Sequence, residues 1–183
     1  MPTTLEPGGA MATPPEAADI AALATEHGRL VFRAAYRVLG DAAQAEDVQQ
    51  EVFLRLLESD RTAVVSWPAF LTAAATRVAI DVLRRRQRWW ALLPKWRAQA
   101  AETTASAEAV GIEAERATRL RQALGRLSRR EAQCFALRYL DGLDLPEVAA
   151  ELRLTQNNVG VILHRARRRL EAILDDTHEE VRA

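Results

Sequence analysis

The sequence predicts an all-α protein of two small helical domains joined by a flexible linker. Three observations carry this. Ala, Leu, Arg and Glu dominate while aromatics make up only 5% of the 183 residues, a balance that favours helix over sheet. Apolar residues recur at helical spacing through two long stretches. Between those stretches, over about 92–114, the pattern fades. The length suits one mid-sized domain or two small ones.

The first helix is expected over about Ala18 to Leu39, with Ile20, Leu23, Leu30, Val31, Ala34 and Val38 at helical spacing. Gly40 ends it by supplying the left-handed conformation of a helix terminus. Asp41 then caps a second helix, and Gln44 has the spacing of a capping box. In that helix Val48, Val52 and Leu56 form the buried stripe, while Asp47, Gln50, Glu51 and Leu54 share another face. After a polar loop at about 59–65, Ser66 caps a third helix with Pro68 in its first turn. Leu71, Ala75, Val78 and Val82 are its buried stripe, and Arg77, Asp81, Arg84 and Arg88 make a separate one.

Pro94 and the Ala-, Thr-, Ser- and Glu-rich run after it read as linker. Trp89, Trp90 and Trp96 are unusual beside a free linker; they pack either on the first domain or on a partner. The second domain begins near Glu115. Ser128 with Glu131, and Asp144 with Glu147, have capping-box spacing, and Asp141-Gly142 marks a turn. The helix from Asp144 is short, breaks at Arg153-Leu154, and gives way to a longer one capped by Thr155. Val159, Leu163, Ala166 and Leu170 form its apolar stripe. The divisions are 1–17, a disordered tail; 18–91, the first domain; 92–114, the linker; 115–175, the second domain; and 176–183, a C-terminal tail.

Charge is balanced overall, 25 basic against 25 acidic residues, which taken alone argues against nucleic-acid binding. It is segregated, however. Residues 41–60 hold six acids and one base, residues 77–97 hold seven bases and one acid, and four arginines fall within 165–169. Such sorting suits different faces for different partners. The lone cysteine, Cys134, excludes an internal disulfide and lies among apolar residues, as a packed core thiol does. The N-terminus lacks the build of a secretory signal and no apolar run reaches membrane-spanning length. The reading is of a cytoplasmic protein.

The 144–170 segment has the layout of a helix-turn-helix: a short helix, a tight turn, then a longer helix with one narrow apolar stripe. Its outward positions include Asn157, Asn158, Val161, His164, Arg165 and Arg168. Asn suits adenine, Arg suits guanine or phosphate, and Val suits a thymine methyl. An amphipathic terminal helix with a solvated basic face is the alternative. Arg84, Arg85 and Arg88, beside Trp89 and Trp90, suit phosphate contacts and base stacking on a single strand. No Gly-rich phosphate loop, Ser-His-Asp or Cys-His set, or metal-ligand spacing of His27, His164 and His178 is present. The expectation is a protein without enzyme activity, cofactor or metal.

Two segments resemble the sigma factors of the extracytoplasmic-function (ECF) type. Residues 36–53, Tyr-Arg-Val-Leu-Gly-Asp-Ala-Ala-Gln-Ala-Glu-Asp-Val-Gln-Gln-Glu-Val-Phe, resemble their polymerase-binding segment, and 79–86 the end of their −10-element helix. Residues 127–170 resemble their −35-binding domain. The resemblance implies that Asp47, Gln50, Glu51 and Phe53 meet core RNA polymerase. It implies that Arg77, Arg84 and Arg85 serve the −10 element and its melting; Arg88, on the same stripe, and Trp67 are added to these candidates. It implies that the last helix reads −35 promoter DNA and that an anti-sigma factor is a partner; the free chain is expected to be a monomer. The sequence departs from the family's pattern at Arg77, Phe70, Gly160 and Val161, and in a short loop before the third helix, so the family's −35 preference does not transfer. The competing function is a stand-alone helix-turn-helix regulator.

Overall fold

The computed structural model describes residues 18–59, 64–92 and 111–180. The N-terminal tail, Trp96 and most of the linker lie outside them. Every regular element among the described residues is helical. The order is α1 (Ala18–Leu39), α2 (Ala42–Leu57), α3 (Trp67–Leu92), α4 (Gly111–Arg126), α5 (Arg129–Phe135), a π-helical turn (Ala136–Leu140), α6 (Leu145–Leu152) and α7 (Gln156–Glu180).

Local chemistry sets the boundaries. Gly40 takes φ +68°, and the Asp41 side chain accepts from the Gln44 amide at 2.9 Å to open α2. The Ser66 hydroxyl accepts from the Ala69 amide. Both expected capping boxes are complete: Ser128 with Glu131, and Asp144 with Glu147. Each satisfies two amides that a helix start leaves without partners. Two boundaries differ from the expectation. Helix α4 starts at Gly111, within the segment read as linker, because so few bulky apolar residues there hide the helical period. Helix α7 runs to Glu180, past 175, since extending a formed helix costs far less than starting one.

The first three helices form a bundle around Val31, Ala34, Val38, Val48, Val52, Leu56, Leu71 and Ile80, all buried. The C-terminal half is not a separate bead on a string. Ala123, Leu124, Leu127, Ala132 and Ala136 join that same apolar cluster. In exchange, Ala69 and Ala73 of α3 join a second cluster with Cys134, Leu137, Val148, Leu152, Val159 and Leu163. Burying apolar area at about 25 cal/mol per Å² makes such a shared core a firm attachment.

Candidate nucleic-acid and polymerase interfaces

Three surfaces carry the residues singled out in the sequence. The first is on α2. Val48, Val52 and Leu56 point into the core, so the opposite face is solvent-facing by helical geometry. Asp47 and Gln50 are exposed and Glu51 is half-buried. Glu51 pairs with Arg55 on its own helix. Phe53 packs against the core instead of standing free. Leu54 and Leu57 add apolar area to this region, Leu54 being 63% exposed. Exposed leucines beside an acidic face suit contact with another protein; Leu57 went unmarked in the sequence although its spacing from Val48 and Val52 puts it well off the core stripe.

The second surface is α3. Arg85, Arg88 and Trp89 are exposed. Trp67 sits at the helix start, half-buried, edge-on to Phe70 with ring centroids 6.0 Å apart. Arg77 and Arg84, expected on the same open stripe, are turned into the C-terminal half. Arg84 donates to the Leu127 carbonyl at 2.5 Å, and Arg77 donates to the Ala73 carbonyl at 3.2 Å and the Glu151 carbonyl at 3.4 Å. Burial and the nearby Arg153, Arg130 and Arg129 hold the Arg77 guanidinium below its usual value, against the pull of Glu151. Asp81, between them on the stripe, pairs with Arg129 at 2.6 Å. The stripe therefore divides: its first three members face protein and its last faces solvent.

The third surface is the helix-turn-helix. Arg153 ends α6 in the left-handed conformation, φ 53°, and the Thr155 hydroxyl accepts from the Asn158 amide at 3.2 Å. This turn sets α7 across α6 with Val159, Leu163 and Ala166 buried. Asn157, Asn158, Val161, His164, Arg165 and Arg168 are all exposed. Beside them lies a cleft of about 350 Å³ between the π-helical turn and α7, lined in part by Arg138, Tyr139, His164 and Arg167. Arg167 donates to the Tyr139 hydroxyl from Nε at 2.9 Å. Sequence reasoning did not bring Arg138, Tyr139 and Arg167 together, because the Arg167–Tyr139 contact joins elements 28 residues apart.

Two buried polar groups tie the elements together. Glu131 accepts from the Ser128 amide at 3.0 Å and from Arg169 at 2.9 Å, linking α5 to α7. Asp141 accepts from the Thr76 hydroxyl at 2.7 Å and from Arg37 at 3.2 Å. Burial pushes the Asp141 carboxyl up, while the bonds from Thr76 and Arg37 work the other way. Burial also pushes the Cys134 thiol up to about 11; its place in the core agrees with packing, not reactivity. Among the described residues no group of three His, Cys, Asp or Glu side chains is placed to hold a metal, and no helix is long and apolar enough to cross a membrane.

Residues 23–89 match the family model for Sigma-70 region 2, and residues 117–170 match that for Sigma-70 region 4. The ECF RNA polymerase sigma factor SigL of Mycobacterium tuberculosis is 30% identical over 164 residues, covering 88% of this chain and 92% of that protein. The chain belongs to the ECF sigma factors. The ferric citrate uptake sigma factor FecI of Escherichia coli is 30% identical over 130 residues, 67% of this chain and 72% of FecI. Among solved structures, CnrH in complex with the cytosolic domain of CnrY matches with a TM-score of 0.53 at 24% identity, covering 86% of this chain and 88% of that one. The sigma factor RpoE of Bartonella quintana, in complex with the anti-sigma factor NepR, matches at 0.52 and 16% identity, covering 87% and 98%. Both confirm the fold. An ECF sigma factor acts in transcription initiation, and its family is one of regulatory proteins rather than enzymes. A stand-alone helix-turn-helix regulator would leave the region 2 match without a purpose.

Proposed function

We propose that this ECF sigma factor docks on core RNA polymerase through the α2 face of Asp47, Gln50 and Glu51, with Leu54 and Leu57 supplying apolar contact and Phe53 holding the helix in place from the core side. Helix α3, with Trp67, Arg77, Arg84, Arg85 and Arg88, serves the −10 element, and α7 reads the −35 element through Asn157, Asn158, Val161, His164, Arg165 and Arg168. The work takes place in the cytoplasm. CnrH and the Bartonella RpoE were each solved with a bound partner protein, and an anti-sigma factor is proposed here by extension.

The observation that carries the polymerase assignment is the state of α2. Asp47 is exposed and, among the described residues, pairs with no cation. It is free to meet a basic partner. The test is Asp47→Lys with Glu51→Lys. Charge pairs across an interface are worth about 1.5 kcal/mol or more, so affinity for core polymerase should fall about tenfold or more. Because neither side chain is in the core, helicity and melting temperature should hold. A folded double variant with unchanged affinity would refute the assignment.

A further inference from the structure

One turn into α7, on its solvent side, stands a glycine that the fold does not ask for. Gly160 is exposed and lies inside the helix, and it is not among the glycines of positive φ. A Cβ built there would meet no other part of the chain within 4 Å, whereas at Gly40 and Gly125 it would stand 2.6 and 2.5 Å from a neighbouring side chain. Alanine would hold the helix better, because glycine loses more backbone freedom on folding. Nothing within the described chain uses the missing side chain, so its use is for something that docks from outside. We propose that Gly160 is the point at which the main chain of α7 meets the −35 duplex, its bare Cα admitting a DNA phosphodiester into the cleft beside it. The inference rests on the assignment of α7 to the −35 element.

The cleft has the build of a phosphate seat. Gly160, His164 and Arg167 line it from α7, at successive turns, and Arg138 and Tyr139 face them from the π-helical turn. Arg167 is fixed in place: Nε donates to the Tyr139 hydroxyl at 2.9 Å, and the guanidinium carbon lies 5.1 Å from the centre of that ring. Tyr139 is itself tilted against Phe135, ring centroids 4.9 Å apart. Arg138 donates to the Leu143 carbonyl at 2.9 Å. Neither guanidinium pairs with a carboxylate among the described residues. A guanidinium has five N–H donors, so both keep donors for an oxyanion, and their planar fork matches phosphate oxygens. Leu145 and Leu163 also line the cleft, which makes an apolar segment of the polymerase the competing occupant. Two positioned cations without a counter-charge favour the phosphodiester.

The place of the seat on the helix ties it to base reading. Gly160 and His164 adjoin Val161, Arg165 and Arg168, all of them exposed. A strand whose backbone runs over Gly160 turns its base edges toward Val161 and Arg165. With no side chain at 160, that strand comes closer to the axis of α7 than it otherwise could. The short Val161 then reaches a thymine methyl, the one contact open to a side chain without donors.

The experiment uses the full chain assembled with core polymerase. The probe is a promoter duplex recovered by the wild type from a library randomised at −35. Gly160→Ala should raise the Tm of the free sigma factor by about 2–4 °C, yet lower promoter affinity about fivefold or more, and Gly160→Leu should bind more weakly still. Arg167→Gln should lower the salt slope of promoter binding by about 0.9, the loss of one phosphate contact. Affinity for core polymerase without DNA should be that of the wild type in all three. Arg165→Ala, on the reading face, is the reference. If it weakens promoter binding while both Gly160 variants bind as wild type, the seat is refuted and the assignment of α7 stands. If Arg165→Ala also leaves promoter binding unchanged, the assignment of α7 falls and the inference with it. An unchanged slope for Arg167→Gln removes the phosphate. A Tm that fails to rise in Gly160→Ala assigns the glycine to the fold, and a loss of core affinity assigns the cleft to the polymerase; either result overturns the proposal.

Discussion

Replacing Glu131 by Ala should destabilise this sigma factor by about 2 kcal/mol and loosen the seat of α7. The side chain is buried and closes the capping box that starts α5; losing such a cap costs about 1 kcal/mol. It also accepts from Arg169 of α7 at 2.9 Å. That arginine is largely exposed, so the pair adds no more than about 1 kcal/mol. For a chain of this size the sum corresponds to a fall in Tm of about 4–8 °C. Glu131→Gln keeps an acceptor for the Ser128 amide and loses the charge, so it should cost about half as much. Burial pushes the Glu131 carboxyl up, but the bonds from Ser128 and the Arg169 guanidinium outweigh it and hold the group below its ordinary value. A carboxylate depressed in this way contributes stability above the unfolded value near pH 4.3, and the contribution fades as pH falls through the folded value. Thermal melts of wild type and Glu131→Gln should therefore be separated at neutral pH and converge in acid. A gap that stays constant from pH 7 to about 3 would refute the charge argument, and an unchanged Tm for Glu131→Ala would refute the cap.

Selection of a −35 library should assign roles along α7. Arg165→Ala should cost about 1–3 kcal/mol and relax one base position, whereas Asn158→Ala, near the helix N-terminus where amides favour phosphate, should weaken all sites alike; the opposite pattern would exchange their roles. On α3, Arg85→Ala with Arg88→Ala should lower the salt slope of promoter binding by about 0.7–0.9 per lost phosphate contact. An unchanged slope would make these two exposed arginines an ordinary solvated face.

What the sequence revealed and what it hid follow a physical division. Helix starts and stops were legible because they depend on residues within one turn: Asp41, Ser66, Ser128, Asp144 and Thr155 each bond an amide three residues on. The glycine at 40 and the break at Arg153 were legible for the same reason. The faces of α2 and α7 were also legible, because a stripe of valines and leucines fixes the inside of a helix and hence its outside. The fate of the α3 stripe was not. Arg77 and Arg84 have the spacing of an exposed basic row, and what covers them, the Leu127 and Glu151 carbonyls, lies 43 and 74 residues away. Arginine is tolerated in such a place because its donors reach main-chain oxygens while its stem lies on apolar surface. Spacing cannot separate that use from a phosphate contact. The role of Asp141 was hidden likewise: Asp-Gly reads as a turn, and the turn is there, but its carboxylate is spent on Thr76 and Arg37.

The zero net charge, which first argued against a DNA-binding protein, makes sense once the pairing is considered. Across the contact between the two halves, Arg37 meets Asp141 and Arg129 meets Asp81, so these opposite charges neutralise one another along the seam. The acids of α2 and the arginines of α7 remain outside, on separate surfaces. A nucleic-acid-binding protein needs a basic surface at the site of contact, and the field there falls off within about a Debye length, near 8 Å at physiological salt. Net charge summed over the chain is then the wrong quantity.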